Sequence, residues 1–349
     1  MRRIISGITL TIILVLVAAG GWVYYDLRRP LAHGKSEQYI EIPRGSSPAA
    51  VVRKLTAEGI LRHSWTLMVY LKLTGGGSRL RAGEYRFASP ISPLGVYAKL
   101  RQGERRLSRI TVIEGWTRWD IAGELAEIKE LEVSSEEEVL KLMDDVSSIS
   151  DLDPAARNLE GYLYPDTYEF SPDNTAAEVI QMMVKHFRSV WKPEWNEQAR
   201  ARNLTPRQIV TIASLIETEA KLPEERRLIA SVIYNRLARD MSLGVDSTVV
   251  YASKLEGKWR DDGKVYRSDV ERRSPYNTRL ISGLPPGPIA SPGRSSLEAA
   301  LNPADSDYLY YVREPSRDDG AHNFYNNEGD FARGVQALRE WERKREDED

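Results

Sequence analysis

An α+β protein is predicted by this sequence: one N-terminal transmembrane helix, a small α+β domain, and a larger domain of mixed helices and strands. Three observations carry the prediction. Residues 4–25 hold no charge; these roughly 22 residues rise about 33 Å as a helix, enough to cross a bilayer core. A strand–glycine–hydroxyl–helix pattern occurs twice, over residues 39–55 and again over 110–125. From about residue 155, capped amphipathic helices dominate, followed by a proline-rich loop and a late strand.

Arg2 and Arg3 precede the apolar span, and Trp22, Tyr24 and Tyr25 fall at its far end, where aromatic rings favour the membrane interface. A basic tail over residues 1–3 stays inside, which makes the chain a single-pass protein of the bacterial cytoplasmic (inner) membrane with its bulk on the outer or periplasmic face. Val17-Ala18-Ala19 offers the alternative of a cleaved signal peptide. The apolar run continues past that point, which favours an uncleaved anchor, although Arg28-Arg29 beyond it weakens the charge argument. There is no cysteine, so disulfides, thiolate metal sites and a cysteine nucleophile are excluded. The four histidines, His33, His63, His186 and His322, show no ligand spacing, and neither a metal nor another cofactor is expected. A net charge of −2 argues against nucleic acid as a partner.

Residues 26–37 read as a polar tether. In 38–104, Tyr39-Ile40-Glu41-Ile42 alternates as a strand, and Ser46 or Ser47 can cap a helix carrying Val51, Val52 and Leu55. A helix over 64–73, a flexible break at Gly75-Gly76-Gly77, a strand over 81–87 and a helix over 93–101 follow. This region resembles a LysM module, whose family binds glycans containing N-acetylglucosamine; the alternative is a plain α+β spacer. Residues 105–154 read as a connecting α+β region holding the second copy: Ile110-Thr111-Val112 as strand, Gly115 at the turn, Thr117 as cap, Ile121 and Leu125 on the helix. The main domain, 155–340, is expected to hold helices over 175–190, 206–220 and 223–239. Asp246-Ser247-Thr248 can cap another helix running to Ser253. The prolines of residues 282–293 make a stiff loop, and 308–312 reads as a buried strand. Residues 341–349 read as a charged, frayed tail.

Glu217 stands out within Ala213-Ser214-Leu215-Ile216-Glu217-Thr218-Glu219. Thr205, Pro206 and Gln208 start its helix with a capping box. Ile209, Ala213, Ile216 and Ala220 share one face, and Glu217 borders it. A carboxyl in apolar surroundings tends to keep its proton toward neutral pH and can then act as a general acid. The plainer alternative is a half-exposed or salt-bridged boundary glutamate. Glu219 lies about 200° around the helix, so the two carboxyls point apart.

Six motifs in order resemble the endolytic murein transglycosylases of the MltG (YceG-like) family. They are Leu159-Glu160-Gly161-Tyr162-Leu163-Tyr164-Pro165-Asp166-Thr167-Tyr168, the Glu217 segment, Tyr234-Asn235-Arg236-Leu237, Asp246-Ser247-Thr248-Val249-Val250-Tyr251, Ser274-Pro275-Tyr276-Asn277-Thr278 and Gly283-Leu284-Pro285-Pro286-Gly287-Pro288-Ile289. Tyrosines at 162, 164 and 168 stand where the family often has tryptophan, and Thr218 replaces a basic residue. The resemblance puts the catalytic glutamate at Glu217. It implies cleavage of the β-1,4 bond between N-acetylmuramic acid and N-acetylglucosamine in peptidoglycan, ending in a 1,6-anhydro ring. One carboxyl suffices for that chemistry, because the sugar's own C6 hydroxyl captures the anomeric carbon. Near the membrane the substrate is expected to be nascent glycan, with peptidoglycan synthases as partners.

Candidate substrate-binding roles follow from residue chemistry. Tyr162, Tyr164, Tyr168 and Tyr276 can stack on sugars or pack in the core. Asn235, Asn277, Ser247 and Thr248 can bond hydroxyl and N-acetyl groups. Glu160, Asp166 and Asp246 are further carboxyls, the two aspartates also suiting turns or caps. Glu219 and Thr278 complete the set. Two other readings stay open: a muramidase pairing Glu217 with Asp246 or Glu160, and a non-enzymatic, membrane-anchored peptidoglycan scaffold.

Overall fold

The computed structural model describes residues 2–103, 107–260 and 262–348, and the chain divides into two compact units, 1–107 and 108–349. The boundary expected at 104–105 falls outside the described residues, as do residues 1 and 349 of the two expected tails.

The first unit runs α1 (Arg2–Arg28), β1 (Tyr39–Ile42), α2 (Pro48–Ala57), α3 (Ser64–Thr74), β2 (Gly83–Arg86) and α4 (Pro93–Gln102). Over Leu10–Arg28, α1 is long and apolar enough to cross a membrane. The helix passes the expected end at residue 25, because its last turns pack against protein. Val23 lies on the unit's core, Asp26 and Leu27 are buried, and Trp22 stacks on Trp65 with ring centroids 5.1 Å apart. The expected tether at 26–37 is likewise folded down. Leu31 exchanges backbone hydrogen bonds with Ile91 at 2.8 and 3.1 Å, the His33 N–H donates to Ser89 Oγ at 2.8 Å, and Lys35 pairs with Glu58. β1 and β2 pair antiparallel with Ile40 opposite Tyr85, both buried over Val52, Leu55 and Leu67. Ser47 caps α2. Gly75–Gly77 is no flexible break: Gly75, at φ +64°, ends α3, and the chain enters a 3-10 turn in which Gly76 is buried against Tyr97.

The second unit runs β3 (Ser108–Thr111), α5 (Arg118–Ala126), α6 (Glu136–Leu142), β4 (Thr167–Phe170), α7 (Ala176–Val190), α8 (Pro193–Ala201), α9 (Pro206–Glu219), α10 (Arg226–Leu237), α11 (Asp246–Leu255), α12 (Arg267–Val270), α13 (Arg294–Leu301), β5 (Tyr310–Arg313), β6 (His322–Tyr325) and α14 (Glu328–Glu348). Residues 108–154 are part of this unit rather than a connector. β3 pairs antiparallel with β4, placing Ile110 opposite Tyr168, and one core runs from Ile110 and Leu125 to Phe187 and Ile216. Thr117 and Asp120 form a full capping box on α5. α9 is the unit's central helix: residues 209–216 are buried on every side, not on one face. β5 is half-buried rather than buried and pairs with β6. The expected frayed tail continues α14 to Glu348, and Arg313 and Arg345 both lie over the Trp341 ring, at 5.0 and 4.8 Å.

Candidate active site

The site is assembled around the last turn of α9. Thr205, Pro206 and Gln208 start that helix as a capping box, and Ile209 to Ile216 are buried along it. Ser214 Oγ accepts the Ile289 N–H at 3.1 Å, which pins the proline-rich loop along the helix. The loop is laced in turn to the β3–α5 turn: Gly115 N–H donates to Ser291 O at 2.9 Å, and Ser291 N–H to Trp116 O at 2.7 Å. These bonds bring two distant segments, the proline-rich loop and the β3–α5 turn, to Glu217.

Glu217 has a side chain only 4% exposed, yet its surroundings are not apolar. Oε1 accepts from Arg226 Nη2 at 3.2 Å, and Oε2 accepts the Gly293 N–H at 2.8 Å. Gly293 is the N-cap of α13, where backbone donors and the helix dipole favour an anion. Arg226, at the start of α10, is steadied by its Nε donating to Ser296 Oγ at 3.2 Å. The expected acid in an apolar pocket is thus a buried carboxyl gripped by two donors.

A second carboxyl joins it. Glu114 Oε2 lies 3.9 Å from the same Arg226 Nη2, and its side chain is half exposed. Its other oxygen rests over Gly293, where a Cβ would overlap it. Burial and the neighbouring Glu217 charge push the Glu114 carboxyl up, against the pull of Arg226. The Tyr164 hydroxyl is pushed up too, by burial and then by Glu114, so this tyrosine borders the pair; its ring packs on His186 at 4.6 Å.

Most other predicted site residues serve the framework. Tyr162 is buried and donates to Asp153 at 2.8 Å; Tyr168 is buried and donates to Tyr164 O at 2.6 Å. Asp166 is exposed and pairs with His186 at 3.3 Å. Glu219 points away from Glu217 and accepts from Tyr311 at 2.7 Å; burial pushes its carboxyl up. Asn235 clamps the Ser306 and Tyr308 carbonyls, both at 2.9 Å. Asn277, fully buried, holds the Val270 and Arg272 carbonyls at 2.8 Å. Thr248 and Thr278 bond each other at 2.9 Å in the core. Asp246 does not cap α11, whose N-cap is Val245, but accepts from Arg279 Nε at 2.7 Å. Ser247 hydrogen-bonds to α9, through the Thr218 hydroxyl at 2.7 Å.

Glu160 and Tyr276 line a separate cavity of 530 Å³ with Arg157, Asn158 and Arg207. Glu160 is buried and both its oxygens accept the Arg118 N–H, each at 3.2 Å, so it caps α5. Burial raises its pKa to about 7, against that hydrogen bond. Among the described residues, no group of three His, Asp or Glu side chains could hold a metal ion.

Sequence reasoning missed Glu114, Arg226 and Gly293. The one available signal was a charged residue, Glu114, directly before the turn glycine in Ile113-Glu114-Gly115-Trp116.

With this geometry in hand, the chain can be set beside known proteins. The YceG-like family model matches residues 40–337. A Bacillus subtilis (strain 168) protein named endolytic murein transglycosylase is 35% identical, over 85% of each chain. A protein of the same name from Streptococcus pneumoniae serotype 2 is 30% identical over 94% of this chain, which spans 64% of its length. The crystal structure of a YceG-like protein from Listeria monocytogenes superposes with a TM-score of 0.58 at 30% identity, covering 86% of this chain and 99% of that one. The chain belongs to the YceG-like family.

Proposed function

We propose that this protein is an endolytic murein transglycosylase, which cuts the β-1,4 bond between N-acetylmuramic acid and N-acetylglucosamine within glycan strands and leaves a 1,6-anhydro end. The observation that carries this reading is Glu217: a nearly buried carboxyl, held by Arg226 and the Gly293 N–H, in a chain 35% identical to a protein of that name.

Glu217 protonates the glycosidic oxygen as the C1–O4 bond breaks, and the bonding pair leaves with O4. Each carboxylate oxygen has two acceptor positions and gives one to its donor, so the group can still meet a ligand. The anion left behind is stabilised by preorganised donors that need not move. The sugar's O6 then closes on C1, and its proton returns to Glu217. No water is consumed, and the carboxyl ends as it began.

The test is mass spectrometry of ends released from purified peptidoglycan by the wild type and by Glu217→Gln. Ends one water lighter than hydrolysis products, absent with the variant, are expected. No glutamate-dependent products, with binding retained, would defeat the reading and leave the scaffold alternative.

A second reading, a two-carboxylate muramidase, gains from one observation: Glu114 supplies a second carboxyl beside Glu217, which neither Asp246 nor Glu160 does. Ordinary reducing ends in the same experiment would establish it.

For the cell we propose that residues 4–25 anchor the chain in the cytoplasmic membrane with residues 1–3 inside. The enzyme then meets nascent glycan beside the synthases and sets strand length, and the LysM-like region adds a glycan contact. Equal cutting of mature sacculi by a form lacking the anchor would count against this placement.

A further inference from the structure

The 530 Å³ cavity beside Glu160 is large enough for a small ligand group, and its open hydrogen-bonding positions are mostly donors. Arg157 is exposed at the cavity and, among the described residues, makes no hydrogen bond or ion pair. Arg207 commits Nε to Pro286 O and Nη1 to Asp153, both at 2.7 Å, which leaves Nη2 free. The Tyr276 hydroxyl and the Asn158 amide N–H groups likewise meet no partner among the described residues. Gly287 keeps the space beside two of these donors open. A Cβ there would lie 2.7 Å from Arg207 Nη2 and 3.3 Å from the Tyr276 hydroxyl oxygen. Burial pushes that hydroxyl up, and Arg207, Glu160, Arg118 and Arg157 all bear on it, so the phenol keeps its proton and donates. The two carboxyls nearby are covered: Glu160 is 2% exposed and holds the Arg118 N–H, and Asp153 is 1% exposed and holds Arg207 and Tyr162. Guanidinium, phenol and amide donors with proline walls suit a carboxylate that has apolar neighbours.

The cavity and the Glu217 site lie at two ends of the same three segments. α9 runs from Arg207 to Glu217, a distance of about 15 Å along the helix. The loop after Asn158 runs from Glu160 at the cavity to Tyr164, which borders Glu114 and Glu217. The proline-rich loop runs from Pro286 at the cavity to Gly293 on Glu217. An extended peptide of roughly four to five residues spans that interval. We infer that the cavity is a subsite for a carboxylate on the peptide arms that branch from the glycan, with Arg157, Arg207 Nη2 and the Tyr276 hydroxyl as its donors. This rests on peptidoglycan being cut at Glu217. The enzyme then selects strands whose arms are in place, and the arm, held well away from the scissile bond, fixes which sugar lies at the acid.

The experiment measures cleavage by the full chain of three strand preparations: with peptide arms, with arms whose carboxyl groups have been amidated, and stripped of arms. Wild type should favour the first over either of the others by roughly tenfold in kcat/KM, the size of one charge-assisted contact. Arg157→Gln should remove most of that preference, through KM rather than kcat. Tyr276→Phe, which keeps the ring, should remove less of it. Equal cleavage of all three preparations by wild type would overturn the inference, as would an Arg157→Gln loss of the same size on all three. Amidated arms cleaved as well as unmodified ones would also overturn it, since the cavity would then read peptide and not carboxylate. Glu217→Gln separates the two levels, because its binding of the three preparations reads the cavity without turnover. If that variant still cleaves while binding follows the expected order, the proposed reaction fails and the subsite stands. If it is inactive and binds all three alike, only the subsite falls.

Discussion

Gly161 and Pro288 are packed so tightly that no methyl group fits between them. A Cβ on Gly161 would lie 2.5 Å from Pro288 Cβ and 3.0 Å from Val210 Cγ1, and Gly161 is also at φ +81°. This contact seats the proline-rich loop on α9, and the same loop delivers Gly293 to Glu217. Gly161→Ala should therefore cost roughly 1–3 kcal/mol, from the left-handed backbone and overpacking together, and lower activity with it. Urea unfolding and turnover on peptidoglycan, measured side by side, check both effects.

Arg226→Gln removes the cation from a carboxyl that is 4% exposed, where Arg226 itself is only 12% exposed. Leaving a buried charge without its partner costs about 3 kcal/mol. The variant should melt well below wild type, and the deficit should shrink in the double variant Arg226→Gln with Glu217→Gln. If the two losses simply add, the pair is not coupled.

Glu160 gives a pH dependence with a definite sign. Its folded pKa, about 7, lies above the ordinary 4.5, so the native state binds the extra proton between these values. Stability contributed this way is present in acid and lost as pH rises toward 7, by an amount on the order of 3 kcal/mol at most. Denaturation midpoints of wild type should fall from pH 5 to pH 7 by more than those of Glu160→Gln. Parallel curves would show that Glu160 does not titrate in this window.

Asn277→Ala separates framework from substrate contact. The amide holds two carbonyls in a fully buried position, and leaving them unpaired costs roughly 1–3 kcal/mol. The expected result is a lower melting temperature, with KM close to wild type once the protein is held well below that temperature. A raised KM with unchanged melting would make Asn277 a glycan contact.

The local features were readable from the chain. Thr117, Thr175 and Thr205 each cap a helix with the third residue beyond, as short-range hydrogen bonding dictates. Tyr168 could also have been placed: Thr167-Tyr168-Glu169-Phe170 alternates, and its even positions face the core. Glu217 was conspicuous as a carboxyl closing an apolar helix. Its partners were not, because each comes from a different element and is brought in by loop-to-loop backbone bonds such as Gly115 to Ser291. Such bonds use groups that every residue carries, so they leave no trace in side-chain spacing. The tether was misread for a related reason: residues 26–37 are polar in composition, but Leu27 and the Leu31–Ile91 bridge fold them down.

That folded-down segment has a mechanical consequence. In the proposed anchor, Trp22, Val23 and Leu27 are committed to protein, which leaves residues 4–21, about 27 Å of helix, for lipid. That length matches a hydrocarbon core with little to spare. Seated in a bilayer, the first unit is a mast rather than a buoy: it has no slack in which to swivel, and whatever tilts the helix tilts the unit by the same angle. For the proposed anchor, bilayer thickness then becomes a variable that reorients the rest of the first unit.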